Sequence, residues 1–225
     1  MIVIASHNNI DLVSNLLAQL HDIDLNGHEI LVVDTNSTDT EYLELISSVV
    51  GQYKDVTFVK KDYKCFDSGA YIHAYLNYTS NRYIFLQDSI SIVDKDIILK
   101  WDKLLDSNDV VPMYNFEFGY DNDDQKIWSE DMINHTSYPE FGIFGPIFAI
   151  NRYALDIIPR DWLKDPHCKM HACAMERRWS LIFHVLGMKI HFMVHMNKNE
   201  IWEFLNGHAP KYAYFLEKHF YNTKR

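Results

Sequence analysis

The chain of 225 residues has only three cysteines, Cys65, Cys168 and Cys173. So small and odd a set cannot build a disulfide framework and points to a reducing, cytoplasmic setting. No stretch approaches the roughly 18 consecutive apolar residues of a membrane span. The opening Met-Ile-Val-Ile-Ala-Ser-His lacks the basic region of a signal peptide. The sequons at Asn36, Asn77 and Asn134 therefore have no secretory context. Basic residues are also short, 21 against 31 acids, a formal charge of -10. That argues against nucleic acid as the main partner, because neutralising a phosphate backbone needs clustered Lys and Arg. It leaves a small nucleotide open as substrate, since a metal ion can supply positive charge. No Gly-x-Gly-x-x-Gly follows the first apolar run, which counts against a dinucleotide-binding Rossmann enzyme.

What is present is ordinary bulk composition, 48% hydrophobic and 23% charged, in a length that favours one domain over 1–225. The 14 Tyr and 13 Phe are core material or pocket lining. Over the first 100 residues short apolar runs alternate with helical periods. Strands are expected at Ile2–Ala5, Glu29–Val33, Val56–Val59 and Tyr83–Leu86. Helices are expected over Asp11–Leu20, capped by Asn9 or Asp11, from Asp39 or Thr40 through Leu43, Ile46 and Val50, and over Gly69–Tyr78. Strands apolar on both faces and separated by helices indicate an α/β architecture, a mostly parallel central sheet with helices on both faces. Residues 107–140 read as a long loop or lid with short strands. Beyond it the pattern predicts a strand at Phe144–Ile150, a helix over Ala174–Leu186 ended by Gly187, a strand at Lys189–His195, and a helix over Leu205–Tyr221 broken near Pro210.

Ligands of parallel sheets sit at the carboxyl ends of the strands. Asp34, followed by Thr-Asn-Ser-Thr-Asp, suits hydrogen bonding to a base or ribose, or else serves local turn capping. Gln87-Asp88-Ser89 ends the fourth strand; Asp88 is a hard oxygen ligand for Mg2+ or Mn2+, or a helix cap. Lys60 and Lys61, just after the third strand, are placed to offset a diphosphate. Glu176 near a helix start is a candidate general base, with a dipole-favoured acid or an ion pair to Arg177 or Arg178 as the alternative. His191 and His195 share one side of the expected last strand. His167, Cys168, His171 and Cys173 invite a zinc reading but lack a C-x2-C spacing, and coincidence in a loop is favoured.

These motifs together resemble the GT-A fold of nucleotide-sugar glycosyltransferases, in particular family-2-like enzymes of the small viral or bacterial type. The resemblance rests on Ile2-Val-Ile-Ala-Ser-His-Asn-Asn, on Ile30-Leu-Val-Val-Asp-Thr-Asn-Ser-Thr-Asp, on Asp67-Ser-Gly-Ala-Tyr-Ile-His-Ala-Tyr, and on Phe85-Leu-Gln-Asp-Ser-Ile where the family carries a "DxD" or "QDD" metal motif. The second acid of that motif is Ser89 here. Phe141-Gly-Ile-Phe-Gly-Pro and Met175-Glu-Arg-Arg-Trp resemble later family segments. The resemblance implies a donor half over 1–100 and an acceptor half over 101–225. Donor contacts would come from Ser6, His7, Asn8, Asp34, Thr35, Lys60, Asp67, Gly69, Gln87 and Asp88. It implies Mn2+ or Mg2+ on Asp88 with His195, Glu176 as the base of an inverting transfer, and Tyr114, Phe144 and Trp179 against acceptor sugars. The expected partners are a nucleotide-sugar donor and a glycan or glycoprotein acceptor, in the cytoplasm of the cell or, for a virus, of its host. Two alternatives remain: a nucleotide- or carbohydrate-binding module without catalysis, and a nucleotidyltransferase, which the lack of a basic Gly-rich loop disfavours.

Overall fold

The computed structural model describes residues 1–197, 199–200, 203 and 216–218. β1 (Ile2–Ser6) and β2 (Ile30–Asp34) are buried at every position, as continuous β-branched runs require. Between them α1 (Ile10–His21) starts at Asn9, whose side chain accepts from the Leu12 amide at 3.1 Å, while Asp11 sits in the first turn. α2 (Thr40–Val50) is capped by Asp39, which accepts from the Tyr42 amide at 2.9 Å. β3 (Val56–Lys60) follows as a half-exposed edge strand. α3 (Phe66–Asn77) starts three residues before Gly69. β4 (Arg82–Gln87), β5 (Ile90–Ile92) and α4 (Ile97–Leu105) complete the first half.

The second half runs β6 (Val110–Pro112), β7 (Asn115–Glu117), α5 (Asp123–Glu130), β8 (Phe141–Ile143), β9 (Phe148–Asn151), α6 (Arg152–Asp156), α7 (Lys169–Val185) and β10 (Leu216–Lys218). The main sheet has the order β3-β2-β1-β4-β9-β6. β1 pairs in parallel with both β2 and β4, and β9 runs antiparallel to β4 and β6. The pleat sorts side chains to two cores. Ile2, Ile4, Val32, Ile84 and Leu86 face the layer of α1, α2 and α4. Val3, Ala5, Leu31, Val33 and Phe85 face α3, α6 and α7. The sheet is thus mostly parallel and covered on both faces. No helix among the described residues is long and apolar enough to cross a membrane.

Several boundaries differ from expectation. Within 107–140 lies α5, which buries only Gln125 and Ser129 and has no apolar stripe; it is held by polar contacts such as the Ser129 hydroxyl to the Ala174 carbonyl at 3.0 Å. Of the expected Phe144–Ile150 strand only the second half forms, in β9; a turn in which Gly145 takes a φ of 61° separates it from β8, which ends at Ile143. α7 starts at Lys169 rather than Ala174. Over 189–195 no regular strand forms; single bridges join Ile190 to Val110 and Val194 to Tyr114. Of the expected Leu205–Tyr221 helix only Leu216–Lys218 are described, and they pair with β5; the remainder lies outside the described residues.

Arg178 ties this half together. It is 0% exposed, yet forms no ion pair with a carboxylate among the described residues. Its guanidinium donates to the carbonyls of Trp162 (2.7 Å), Trp128 (3.3 Å), Ser129 (3.0 Å) and Asp131 (2.8 Å). Burial pushes its pKa down to about 10, so it stays charged near neutrality. Arg178→Met leaves those carbonyls without a donor and should destabilise the fold by about 3 kcal/mol or more. Urea unfolding of the two proteins measures this, and a loss under about 1 kcal/mol would refute the role.

Candidate active site

The carboxyl ends of β1, β2 and β4 lie side by side, with Ser6 in register with Asp34 and Ala5 with Gln87. Main-chain bonds extend the pairing past the strands: Thr35 N–H to the Ser6 carbonyl (2.9 Å) and Asp88 N–H to the Ala5 carbonyl (3.0 Å). Strand order reverses across β1, so the two following loops diverge and open a crevice. A cavity of about 240 Å³ occupies it, lined by Ser6, His7 and Thr35 on one side, Gln87, Asp88 and Ser89 on another, and Phe66, Asp67, Lys64 and Lys169 across from them.

Asp34 is fully buried. Its Oδ1 accepts from the Ser37 amide (3.0 Å) and hydroxyl (2.5 Å), which closes the turn into α2. Its Oδ2 is buried with no partner, so the residue caps the turn and leaves one acceptor oxygen unused, but it does not itself line the cavity. Asn8 has a positive φ of 53° and spends its side-chain oxygen on the amides of Thr38 (2.7 Å) and Asp39 (2.9 Å). It shapes the β2–α2 turn and is not part of the cavity wall, a correction to its expected donor contact. The Ser6 hydroxyl receives the Tyr42 hydroxyl at 3.0 Å. The His7 amide donates to Asp88 Oδ2 at 3.0 Å, fixing the carboxylate at the crevice mouth. Gln87 Nε2 donates to Asp67 Oδ2, and Gln87 Oε1 is buried without a partner.

Other expectations are corrected. Gly69 is a packing residue behind the cavity: a Cβ there would lie 2.5 Å from Cys65 Cβ and 3.1 Å from Asp165 Oδ1. Lys60 ends the edge strand β3, exposed and away from the cavity. The cavity's cations are instead Lys64, two residues before α3, and Lys169, the first residue of α7. Both were hidden because each helix starts earlier than its apolar period. Tyr114 is 0% exposed, with its hydroxyl on the Leu216 carbonyl at 2.6 Å. Trp179 is 1% exposed, its indole N–H on Ser68 Oγ at 3.1 Å and its ring against Phe148 and Phe183. Neither presents a face to a sugar. Phe144 is half-buried on the β8–β9 turn.

Glu176 lies two turns inside α7, not at its start, and outside the cavity wall. Its Oε1 accepts from the Gly145 amide (3.2 Å) and its Oε2 from Arg177 Nη1 (3.1 Å). The ion pair foreseen for it is therefore with Arg177; Arg178 points into the core. His195 is exposed and edge-on to Phe141 at 4.5 Å, and it does not reach the cavity. Among the described residues no group of three or more His, Cys, Asp or Glu is arranged to hold a metal. A hard divalent ion fits through the oxygens of Asp88 and Ser89, with Gln87 Oε1 close by, the other ligands being substrate phosphates and water.

The model of the family described as glycosyl transferase family 2 matches residues 1–182. No curated protein matches the chain. Among solved structures, a mannosyltransferase from Pyrobaculum calidifontis in complex with GDP-Man and Mn2+ has a TM-score of 0.56 at 15% identity, covering 85% of this chain and 53% of that one. S. aureus TarS 1-349 in complex with UDP-GlcNAc has a TM-score of 0.55 at 14% identity, covering 88% and 58%. A 4-diphosphocytidyl-2C-methyl-D-erythritol synthase from Anaerococcus prevotii has a TM-score of 0.54 at 11% identity, covering 89% and 88%. This chain spans little more than half the length of the first two. At such identities the likeness is one of fold.

Two measurements test the electrostatics. Burial, aided by Lys64 at His7, Lys61 at His73 and His167 at His171, holds these three imidazoles below their ordinary 6.5. A base with a depressed folded pKa is protonated first in the unfolded chain. Stability should decline as the pH falls through 6.5, adding to a decline that begins near pH 8 because burial lowers the pKa of the Met1 amino group to about 5. A urea midpoint that rises between pH 7 and 5.5 contradicts this. Burial, with Asp165 beside it, pushes the Cys65 thiol up to about 12, whereas Cys168 is exposed. Native protein should give Cys168 rapidly to a thiol reagent at pH 8 and Cys65 only after unfolding. Peptide mapping that finds native Cys65 labelled as fast as Cys168 refutes this.

Proposed function

We propose, for a chain that belongs to glycosyl transferase family 2, that it moves a sugar from a nucleotide-diphosphate donor to a hydroxyl of a glycan or glycoprotein acceptor, with inversion. The observation that carries this reading is the Asp88 carboxylate on the wall of the crevice at the β1 switch point, with the unpartnered Oδ2 of the buried Asp34 at the end of the neighbouring strand β2. Asp34 offers an acceptor to a base N–H or ribose hydroxyl at the inner end. Thr35 and Ser6 line the path outward to Asp88, where the diphosphate lies. We assign 1–100 to the donor and 101–225 to the acceptor. The reaction is assigned to the cytoplasm, supported by three free cysteines.

A bound Mn2+ or Mg2+ on Asp88 would supply a Lewis acid that offsets charge on the departing diphosphate. Glu176 is the base. A carboxylate held by the Gly145 amide and Arg177 has a fixed orientation, and it takes the proton of the attacking acceptor hydroxyl. The new C–O bond forms on the face opposite the breaking bond to the diphosphate, whose oxygen keeps the electron pair. Phe144 on the β8–β9 turn is the remaining aromatic candidate for the acceptor side.

The test measures donor hydrolysis and transfer with a panel of nucleotide sugars. Asp88→Asn should lower turnover by about 100-fold, and Glu176→Gln by 100-fold to 10,000-fold. If neither substitution lowers turnover, the assigned roles are wrong. A module that binds without catalysis is the competing reading, kept open by Ser89 in the place of a second acid. It predicts nucleotide binding by calorimetry with no donor turnover at all.

A further inference from the structure

We propose that Phe118, Tyr120 and Tyr138 form the acceptor platform of this chain, and that the platform takes an uncharged sugar rather than a phosphorylated one. The inference rests on Glu176 being the base, as proposed above. β7 and β8 pair antiparallel as a ribbon apart from the main sheet. The ribbon projects from the crevice end of that sheet: β6 and β9 pair last at Pro112 and Phe148, and Phe148 pairs with Phe85 near the carboxyl end of β4. Within the ribbon Phe116 lies across from Gly142, and the Phe118 amide carries the ladder on to the Glu140 carbonyl at 3.3 Å. Side chains two apart share a face, so Phe116, Phe118 and Tyr120 fall on one face with Tyr138 and Glu140. That face meets α7. The Arg177 guanidinium stands over the Phe116 ring at 4.7 Å and donates to the Gly119 carbonyl and to Glu176 Oε2, both at 3.1 Å. One guanidinium therefore separates the platform from the candidate base.

The rings are ordered against each other and left open to solvent. Phe118 and Tyr138 stack at 5.7 Å, and Tyr120 stands edge-on to both, at 5.4 and 6.1 Å. Tyr138 is 44% exposed, and Phe118 and Tyr120 are half-buried. Rings held in this way offer an apolar surface to the C–H face of a pyranose at little cost in ordering. Polar groups flank them. The Tyr138 hydroxyl donates to Glu130 Oε1 at 2.8 Å, and Glu130 faces His135 at 3.5 Å. Carboxylates accept hydrogen bonds from sugar hydroxyls. The surrounding charge favours an uncharged acceptor. Asp121, Glu130 and Glu140 stand around the rings, with Lys126 acting on Tyr138. All three nitrogens of the Arg177 guanidinium are engaged, with Glu176, Asp121 and the Gly119 and Cys173 carbonyls. A phosphate would meet carboxylates without a guanidinium to pair with. A neutral pyranose meets ring faces and acceptors for its hydroxyls.

The experiment measures transfer by the full chain from a panel of nucleotide sugars to the methyl glycosides of glucose, galactose, mannose and N-acetylglucosamine, and to the 1-phosphate of each, whose free hydroxyls are the same. At least one methyl glycoside should accept, with a kcat/KM about 10-fold or more above that of its 1-phosphate. Tyr138→Ala should raise the acceptor KM about 10-fold, the order of one ring contact, with no matching rise in the donor KM. Tyr138→Phe, which keeps the ring, should restore most of the loss, and Phe118→Leu should act in the same direction as Tyr138→Ala. Tyr138 lies at the surface, and thermal unfolding of its variants checks that the fold is kept. The preference between glycoside and 1-phosphate is read on the unaltered chain and needs no variant. Three results overturn the platform and leave the nucleotide-sugar reading standing: donor hydrolysis with transfer to no methyl glycoside, better use of a 1-phosphate, or an acceptor KM that Tyr138→Ala does not move apart from the donor KM. If no donor is hydrolysed or used, that reading falls with it.

Discussion

The site depends on one topological constraint: β1 is hydrogen-bonded in parallel to β2 on one side and to β4 on the other. Each parallel neighbour must return over a face of the sheet, and the two connections leave the end of β1 in opposite directions. A gap at that end is unavoidable, and its floor includes the strand-terminal residues Ser6 and Gln87, with Asp34 buried beside Ser6. The ladder hydrogen bonds that continue past the strands to Thr35 and Asp88 make the floor rigid. The His7 amide and the Asn8 side chain then fasten the crevice rim, one to Asp88 and the other to the β2–α2 turn. Acidic groups in this position are held by main-chain geometry rather than by neighbouring cations.

The opposite wall has a different origin. It belongs to α3 and α7, whose first turns reach the crevice because both helices pack on the same face of the sheet. The close approach of α3 depends on Gly69, where any side chain would strike Cys65. The position of α7 depends on Arg178, whose four carbonyl partners come from the end of α5 and the turn at Trp162. A buried guanidinium without a carboxylate is costly, and here Nε and Nη1 are used while Nη2 is buried without a partner. Here it substitutes for the apolar contacts that the polar helix α5 lacks. α7 presents Lys169 at its start and Glu176 two turns on, roughly 10 Å along the axis. One rigid element thereby couples the donor end of the site to the candidate base.

Much of the first half was legible in the residues. Ile2–Ser6 and Ile30–Asp34 are buried on both faces and read as such. Asn9 and Asp39 cap the helices they precede. The strand-end placement of Asp34 and Asp88 followed from the same period. The second half was less legible because its elements are held by polar and aromatic contacts rather than by stripes. α5 buries a Gln and a Ser. Tyr114 and Trp179 were expected as sugar platforms from the family resemblance, yet each is buried with its polar atom satisfied inside. The cationic role was expected of Lys60 and Lys61 rather than of Lys64 and Lys169, which line the cavity, because a helix start without a capping side chain leaves no signal in the sequence.

The sequence by itself determined the α/β class, the order of the parallel strands' supporting helices, and the family to which the chain belongs, because these rest on local periodicity and on short strand-end motifs. Only the tertiary structure decided which charged groups share the crevice. It joined Lys64 and Lys169 to Asp88 and set His195 apart from them, and it gave Asp34 one satisfied oxygen and one bare one. Such placements depend on how helices distant in sequence pack over the end of one strand. That packing is fixed by contacts such as Gly69 against Cys65 and Arg178 on its four carbonyls, whose partners no local pattern identifies.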